Sequence, residues 1–115
     1  ITEMAKALKN PARFAGLHFF NPVNKMPLVE IISHPGADPE VIQRLYKWAL
    51  DVKKTPVVVN DGPGFLVNRI LAPYLNEAAY LLEEGISIAD LDQAALNFGM
   101  PMGPCRLMDE IGLAK

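Results

Sequence analysis

The hydrophobic periodicity changes at Asn60-Asp61-Gly62-Pro63-Gly64, and that change limits the chain to two architectures joined end to end. Before it, apolar residues gather in short β-forming runs, Leu17-His18-Phe19-Phe20, Leu28-Val29-Glu30-Ile31-Ile32 and Thr55-Pro56-Val57-Val58-Val59. After it, Ile70, Leu71, Tyr74, Leu75, Ala78, Leu81 and Leu82 recur at helical spacing and make one broad stripe. The expected order is α-β-β-α-β followed by α-α-α, an α/β segment joined to an all-α one.

Local signals place the helices. The chain opens in a helical pattern, Ile1 to Leu8. Asp38-Pro39-Glu40 supplies an N-cap, a proline at the first helical position and an acid at the positive end of the dipole. Val41, Ile42, Leu45, Trp48, Ala49 and Val52 follow on one face, with Lys53-Lys54 predicted to close the C-terminal end. Pro73 should bend the long helix or restrict its backbone locally. Ser87 with Asp90 resembles a capping box, Gly99 ends the helix that follows, and a last short helix is expected near Pro104. The ten prolines fall at such joints and punctuate the chain.

Composition narrows the function. With 115 residues, half of them hydrophobic, the chain is long enough for one globular domain or parts of two. Eleven Lys and Arg against thirteen Asp and Glu, with no basic run longer than Lys53-Lys54, leave no footprint for nucleic acid or an anionic membrane. The apolar stretches fall short of the roughly 18 to 20 residues of a membrane helix, and no signal-peptide pattern is visible. One cysteine, Cys105, allows neither an internal disulfide nor a multi-cysteine metal site, which predicts an intracellular chain. Ile1 stands in place of an initiator Met, so a section of a longer chain is expected.

Two ionisable groups stand out because they interrupt apolar strands. His18 and Glu30 sit where side chains should be mostly buried, so each needs a partner. Adjacent strands could set imidazole against carboxylate, a general acid/base arrangement. On spacing alone the plainer reading is a histidine satisfied by a backbone carbonyl, with Glu30 at a strand end. Asn21 closes the first strand and Asn68 lies one turn into the helix after the glycine-rich turn, where amides could hold a carbonyl or hydroxyl. Turn chemistry explains Asn21 and solvent exposure explains Asn68 as well. Arg69, Glu77, Glu83 and Glu84 read as solvated, His34 as a loop residue, and Cys105 and the five Met as packing. No metal-binding pattern appears. Nor does the glycine-rich βα turn that cradles a dinucleotide pyrophosphate.

The blocks Gly16-Leu17-His18-Phe19-Phe20-Asn21-Pro22-Val23 and Met26-Pro27-Leu28-Val29-Glu30-Ile31-Ile32 resemble the L-3-hydroxyacyl-CoA dehydrogenase family. Lys54 to Asp61, Pro63 to Leu71, and Met102-Gly103-Pro104 with Leu107-Met108-Asp109 and Gly112-Leu113 resemble its later motifs in the same order. Lys25-Met26-Pro27-Leu28 and Lys54-Thr55-Pro56 are most similar to the multifunctional alpha subunits of bacterial fatty-acid β-oxidation complexes.

The resemblance implies that residues 1–61 are the C-terminal part of a Rossmann-like NAD-binding domain. Residues 62–115 would then open the helical C-terminal domain. It implies NAD-dependent oxidation of L-3-hydroxyacyl-CoA to 3-ketoacyl-CoA, with a site in the cleft between domains. His18 would be the general base, Glu30 its partner, Asn68 a substrate-holding residue and Asn21 a neighbour of the reacting centre. An acyl-CoA substrate, a thiolase subunit and a second copy paired through the helical halves are the implied partners. The main cofactor motif would precede Ile1, so these 115 residues alone are expected to be inactive. Two other readings are a section of a monofunctional 3-hydroxybutyryl-CoA dehydrogenase and a non-catalytic helical interaction module.

Overall fold

The computed structural model describes residues 1–112, so Leu113 of the Gly112-Leu113 motif lies outside the described residues. Two compact units form, Ile1–Val67 and Asn68–Lys115.

In the first unit, helix α1 (Thr2–Lys6) and a 3₁₀ turn at Pro11–Arg13 precede strand β1 (Gly16–Phe19). Strand β2 (Leu28–Ser33), helix α2 (Pro39–Asp51) and strand β3 (Thr55–Asn60) follow. The sheet order is β1-β2-β3. β1 and β2 are antiparallel, whereas β2 and β3 are parallel and need the crossover that α2 provides. α2 packs on β2 and β3. The central strand is covered throughout its middle, where Val29, Glu30, Ile31 and Ile32 are all buried. The apolar runs Leu17–Phe20 and Leu28–Ile32 both read as buried strands, which holds for β2 and fails for β1. That strand forms an edge of this sheet and is only half-buried beyond Gly16.

α2 begins as its sequence predicts, with the Glu40 N–H donating to Asp38 Oδ1 at 2.9 Å. It ends differently. Lys53 takes a left-handed φ of 66°, its N–H reaches Leu50 O at 3.0 Å, and the Lys54 N–H reaches Ala49 O at 2.8 Å. This backbone closure satisfies the last carbonyls without a lysine side chain. The Lys54 ammonium instead donates to Val23 O and to Met26 O, spanning the loop between β1 and β2.

His34 is more than the loop residue its sequence position suggests. It is buried, its Nε2 faces Pro11 O at 3.0 Å and Phe14 O at 2.9 Å, and its Nδ1 accepts the Gly36 N–H at 3.2 Å. An accepting Nδ1 assigns the proton to Nε2, so the ring ties the end of β2 to the 3₁₀ turn.

The helices α3 (Val67–Glu83), α4 (Ile88–Phe98) and α5 (Pro104–Ile111) follow. Pro73 lies inside α3. Ser87 Oγ accepts the Asp90 N–H at 3.1 Å at the start of α4, and Gly99, at φ 118°, ends it. α5 is capped from a distance. Asp92, within α4, accepts the Cys105 N–H at 2.8 Å and the Arg106 N–H at 3.1 Å. Among the described residues no helix is long and apolar enough to cross a membrane, and no group of three or more His, Cys, Asp or Glu could hold a metal ion.

Candidate active site

Register brings His18 and Glu30 together. They are directly opposed between antiparallel β1 and β2, so both side chains leave the same face of the sheet. His18 Nδ1 lies 2.7 Å from Glu30 Oε1. Of the two arrangements the sequence allows for this histidine, the carboxylate partner is the one adopted.

Glu30 is completely buried, with 0% of its side chain exposed, yet both oxygens are satisfied. Oε2 accepts the N–H of Leu66 at 2.9 Å and of Val67 at 3.2 Å, where the chain enters α3. Those N–H groups have no partner within the helix, and the helix dipole there favours an anion. Burial alone would push the carboxyl up. The His18 hydrogen bond, the Leu66 and Val67 amides and the imidazole charge together outweigh it, leaving Glu30 below its ordinary value.

Two aromatic rings flank the histidine as well. Its ring centroid lies 4.9 Å from that of Phe20 and 5.4 Å from that of Phe65, each ring tilted by 61°. The imidazole remains 32% exposed. With Nδ1 on the carboxylate, Nε2 is the ring nitrogen with no protein partner among the described residues. The pair can therefore exchange a proton at Nε2 while the carboxylate fixes the tautomer and stabilises the imidazolium.

Asn21 lies in the exposed loop directly after β1, at a cis Asn21-Pro22 peptide. Pro22 O accepts the N–H groups of Lys25 and Met26 there, and Lys54 clasps the far side of the loop. Asn68 is exposed in the second residue of α3 and belongs to the other compact unit. Two contributors escape the sequence reading. The amides of Leu66 and Val67 carry no side-chain signal, and Phe65 falls inside the Pro63 to Leu71 block with nothing in the sequence to tie its ring to His18. The Pro63-Gly64-Phe65 turn that precedes them was the available cue.

One further feature bears on cofactor chemistry. The turn from β2 into α2 puts the carboxylates of Asp38 and Glu40 at the N-terminus of α2. That end does not fit a dinucleotide pyrophosphate, because two anions stand where the phosphates would dock.

Comparison with known proteins gives this geometry its setting. Residues 1–62 match the family model described as 3-hydroxyacyl-CoA dehydrogenase, NAD binding domain. Residues 64–115 match the one described as 3-hydroxyacyl-CoA dehydrogenase, C-terminal domain. The chain is 52% identical over 113 residues to the fatty acid oxidation complex subunit alpha of Shewanella baltica, which covers 98% of this chain and 16% of that protein. It thus spans 16% of the length of such curated relatives. Among solved structures it is similar to (S)-3-hydroxybutyryl-CoA dehydrogenase PaaH1 from Ralstonia eutropha, with a TM-score of 0.93 and 40% identity. That match covers 98% of this chain and 41% of the other. The 3-hydroxybutyryl-CoA dehydrogenase of Escherichia coli matches with a TM-score of 0.88 and 45% identity, over 96% of this chain and 24% of the other. With one family model covering the αβ part and another the helical part, the chain belongs to the 3-hydroxyacyl-CoA dehydrogenase family.

Proposed function

We propose that this chain is the proton-handling section of an NAD-dependent dehydrogenase that interconverts L-3-hydroxyacyl-CoA and 3-ketoacyl-CoA in fatty-acid β-oxidation. The observation that carries the reading is the 2.7 Å bond between His18 Nδ1 and a fully buried Glu30. NAD is the co-substrate that accepts the hydride, and the residues present here supply the proton chemistry. His18 takes the 3-hydroxyl proton at Nε2 as the C3 hydride departs, and Glu30 stabilises the resulting imidazolium. In reverse the imidazolium returns that proton to the nascent alkoxide. Asn21 and Asn68 are assigned to substrate-side hydrogen bonds, as amides able to donate to a carbonyl or alkoxide oxygen.

The proposed domain division is 1–61 for the end of the Rossmann-like domain and 62–115 for the start of the helical one. By the same reading the protein is cytoplasmic, takes an acyl-CoA and associates with a thiolase subunit in a β-oxidation complex. A second reading, a helical interaction surface, is favoured by the exposure of Ile70, Ile88 and Phe98, the last 87% exposed. Pairing with a second copy is the form it takes, as a module in which His18 and Glu30 do no catalysis.

The test is NADH-dependent reduction of acetoacetyl-CoA by the full-length protein and its His18→Gln variant. The expected loss is about 10² to 10⁴ in rate with folding intact, the usual contribution of a general acid/base group. An unchanged rate would leave the interaction surface as the better reading.

A further inference from the structure

Lys53 and Phe65 are the non-glycine residues with positive φ among those described. The backbone closure of α2 accounts for Lys53. Phe65, at φ 48°, follows Gly64, itself at φ 75°, in a turn where the Phe65 N–H donates to Gly62 O at 3.1 Å. A glycine would hold that backbone with less strain, because a Cβ in the left-handed region crowds its own carbonyl. What phenylalanine adds is the ring, and the ring lies 5.4 Å from the imidazole of His18.

The next two residues serve the other half of the pair, since the Leu66 and Val67 amides hold Glu30 Oε2. Three consecutive residues thus grip both members: one side chain on the histidine and two amides on the carboxylate. A single hydrogen bond at Nδ1 leaves the imidazole free to swing about that bond, carrying Nε2 with it. Rings at Phe20 and Phe65 restrict the swing.

We propose that Phe65 is a positioning residue for His18, kept in a left-handed backbone so that its ring fixes the direction of Nε2. This rests on the reading of His18 as the proton-exchanging group. Strained residues concentrate where surrounding structure over-determines them for a task, and aiming a base is such a task.

The experiment compares Phe65→Leu, Phe65→Gly, Phe65→Tyr and His18→Gln in the full-length protein, reading kcat and KM for acetoacetyl-CoA reduction. Misplacing a reacting group by about 1 Å costs roughly 10²-fold, so Phe65→Leu is expected to lower kcat by about tenfold or more while KM stays within about twofold. Phe65→Tyr, which keeps a ring at the same site, should recover most of that loss. If the leucine variant does not fold, Phe65→Gly takes its place, because glycine suits the backbone and removes only the ring. Wild-type kcat in the folded leucine or glycine variant would overturn the proposal. With His18→Gln inactive, that result sinks the role of Phe65 alone. An active His18→Gln sinks the reading of His18 and the proposal with it.

Discussion

The carboxylate of Asp92 occupies the space that a side chain at Gly103 would need. A Cβ built on Gly103 would overlap the Asp92 carboxyl group, whose oxygens accept the first N–H groups of α5 from Cys105 and Arg106. Glycine at 103 and proline at 104 therefore have separate reasons. The first makes room for a cap reaching in from α4, and the second starts a helix without spending a donor.

Gly103→Ala should destabilise the protein by about 1 to 3 kcal/mol through overpacking. Asp92→Ala should cost about 0.5 to 2 kcal/mol through the lost cap. In the Asp92→Ala background the Gly103→Ala penalty should shrink in part, because the carboxyl group it collides with has gone while the Cβ at 92, which it also overlaps, stays. Urea midpoints of the two single variants and the double variant measure this coupling, and strict additivity would contradict it.

Glu30 makes stability depend on pH in a defined direction. Its carboxyl lies below the ordinary value of 4.5 in the folded chain. Its contribution is therefore complete above that value and is lost as pH falls from there through the lower folded value. Glu30→Gln leaves a buried amide facing the His18 ring and two backbone donors, and should cost about 1 to 3 kcal/mol near neutral pH. Denaturation of wild type and variant across acid pH should show the gap narrowing below 4.5. A gap that widens on acidification would mean that Glu30 is not held as a carboxylate.

Lys54 joins two segments distant in sequence, its ammonium resting on the Val23 and Met26 carbonyls of the loop that starts at Asn21. Lys54→Met keeps much of the aliphatic stem and removes the donors. Hydrogen exchange should show faster amide exchange at Lys25 and Met26, whose N–H groups bond to Pro22 O within that loop. The stability loss should be about 1 kcal/mol, as for a partly solvated hydrogen bond. Unchanged exchange at both amides would show that the loop holds itself.

What the sequence made legible was whatever depends on near neighbours. The Asp38 cap, the Gly99 stop and the period change at residues 60 to 64 are local effects, and each appears where the residues place it. His18 and Glu30 were visible because burying an ionisable group in an apolar strand demands a partner. Their pairing still needed the register of β1 on β2, which no local rule supplies. Non-local contacts account for what was hidden. Lys54 turns away from its own helix to a loop, Asp92 caps a helix other than its own, and His34 reaches back to Pro11 and Phe14. The amides of Leu66 and Val67 have no side-chain signature at all.

The most direct test of the account is a double-mutant cycle on His18 and Glu30, reading kcat for acetoacetyl-CoA reduction in the full-length protein. Groups that act as one unit lose their effects non-additively. If Glu30 works by orienting His18 and stabilising its imidazolium, then Glu30→Gln should do little further harm once His18→Gln has removed the ring. The double variant should therefore match His18→Gln. Losses that multiply across the two positions would contradict a paired role and assign Glu30 a separate task.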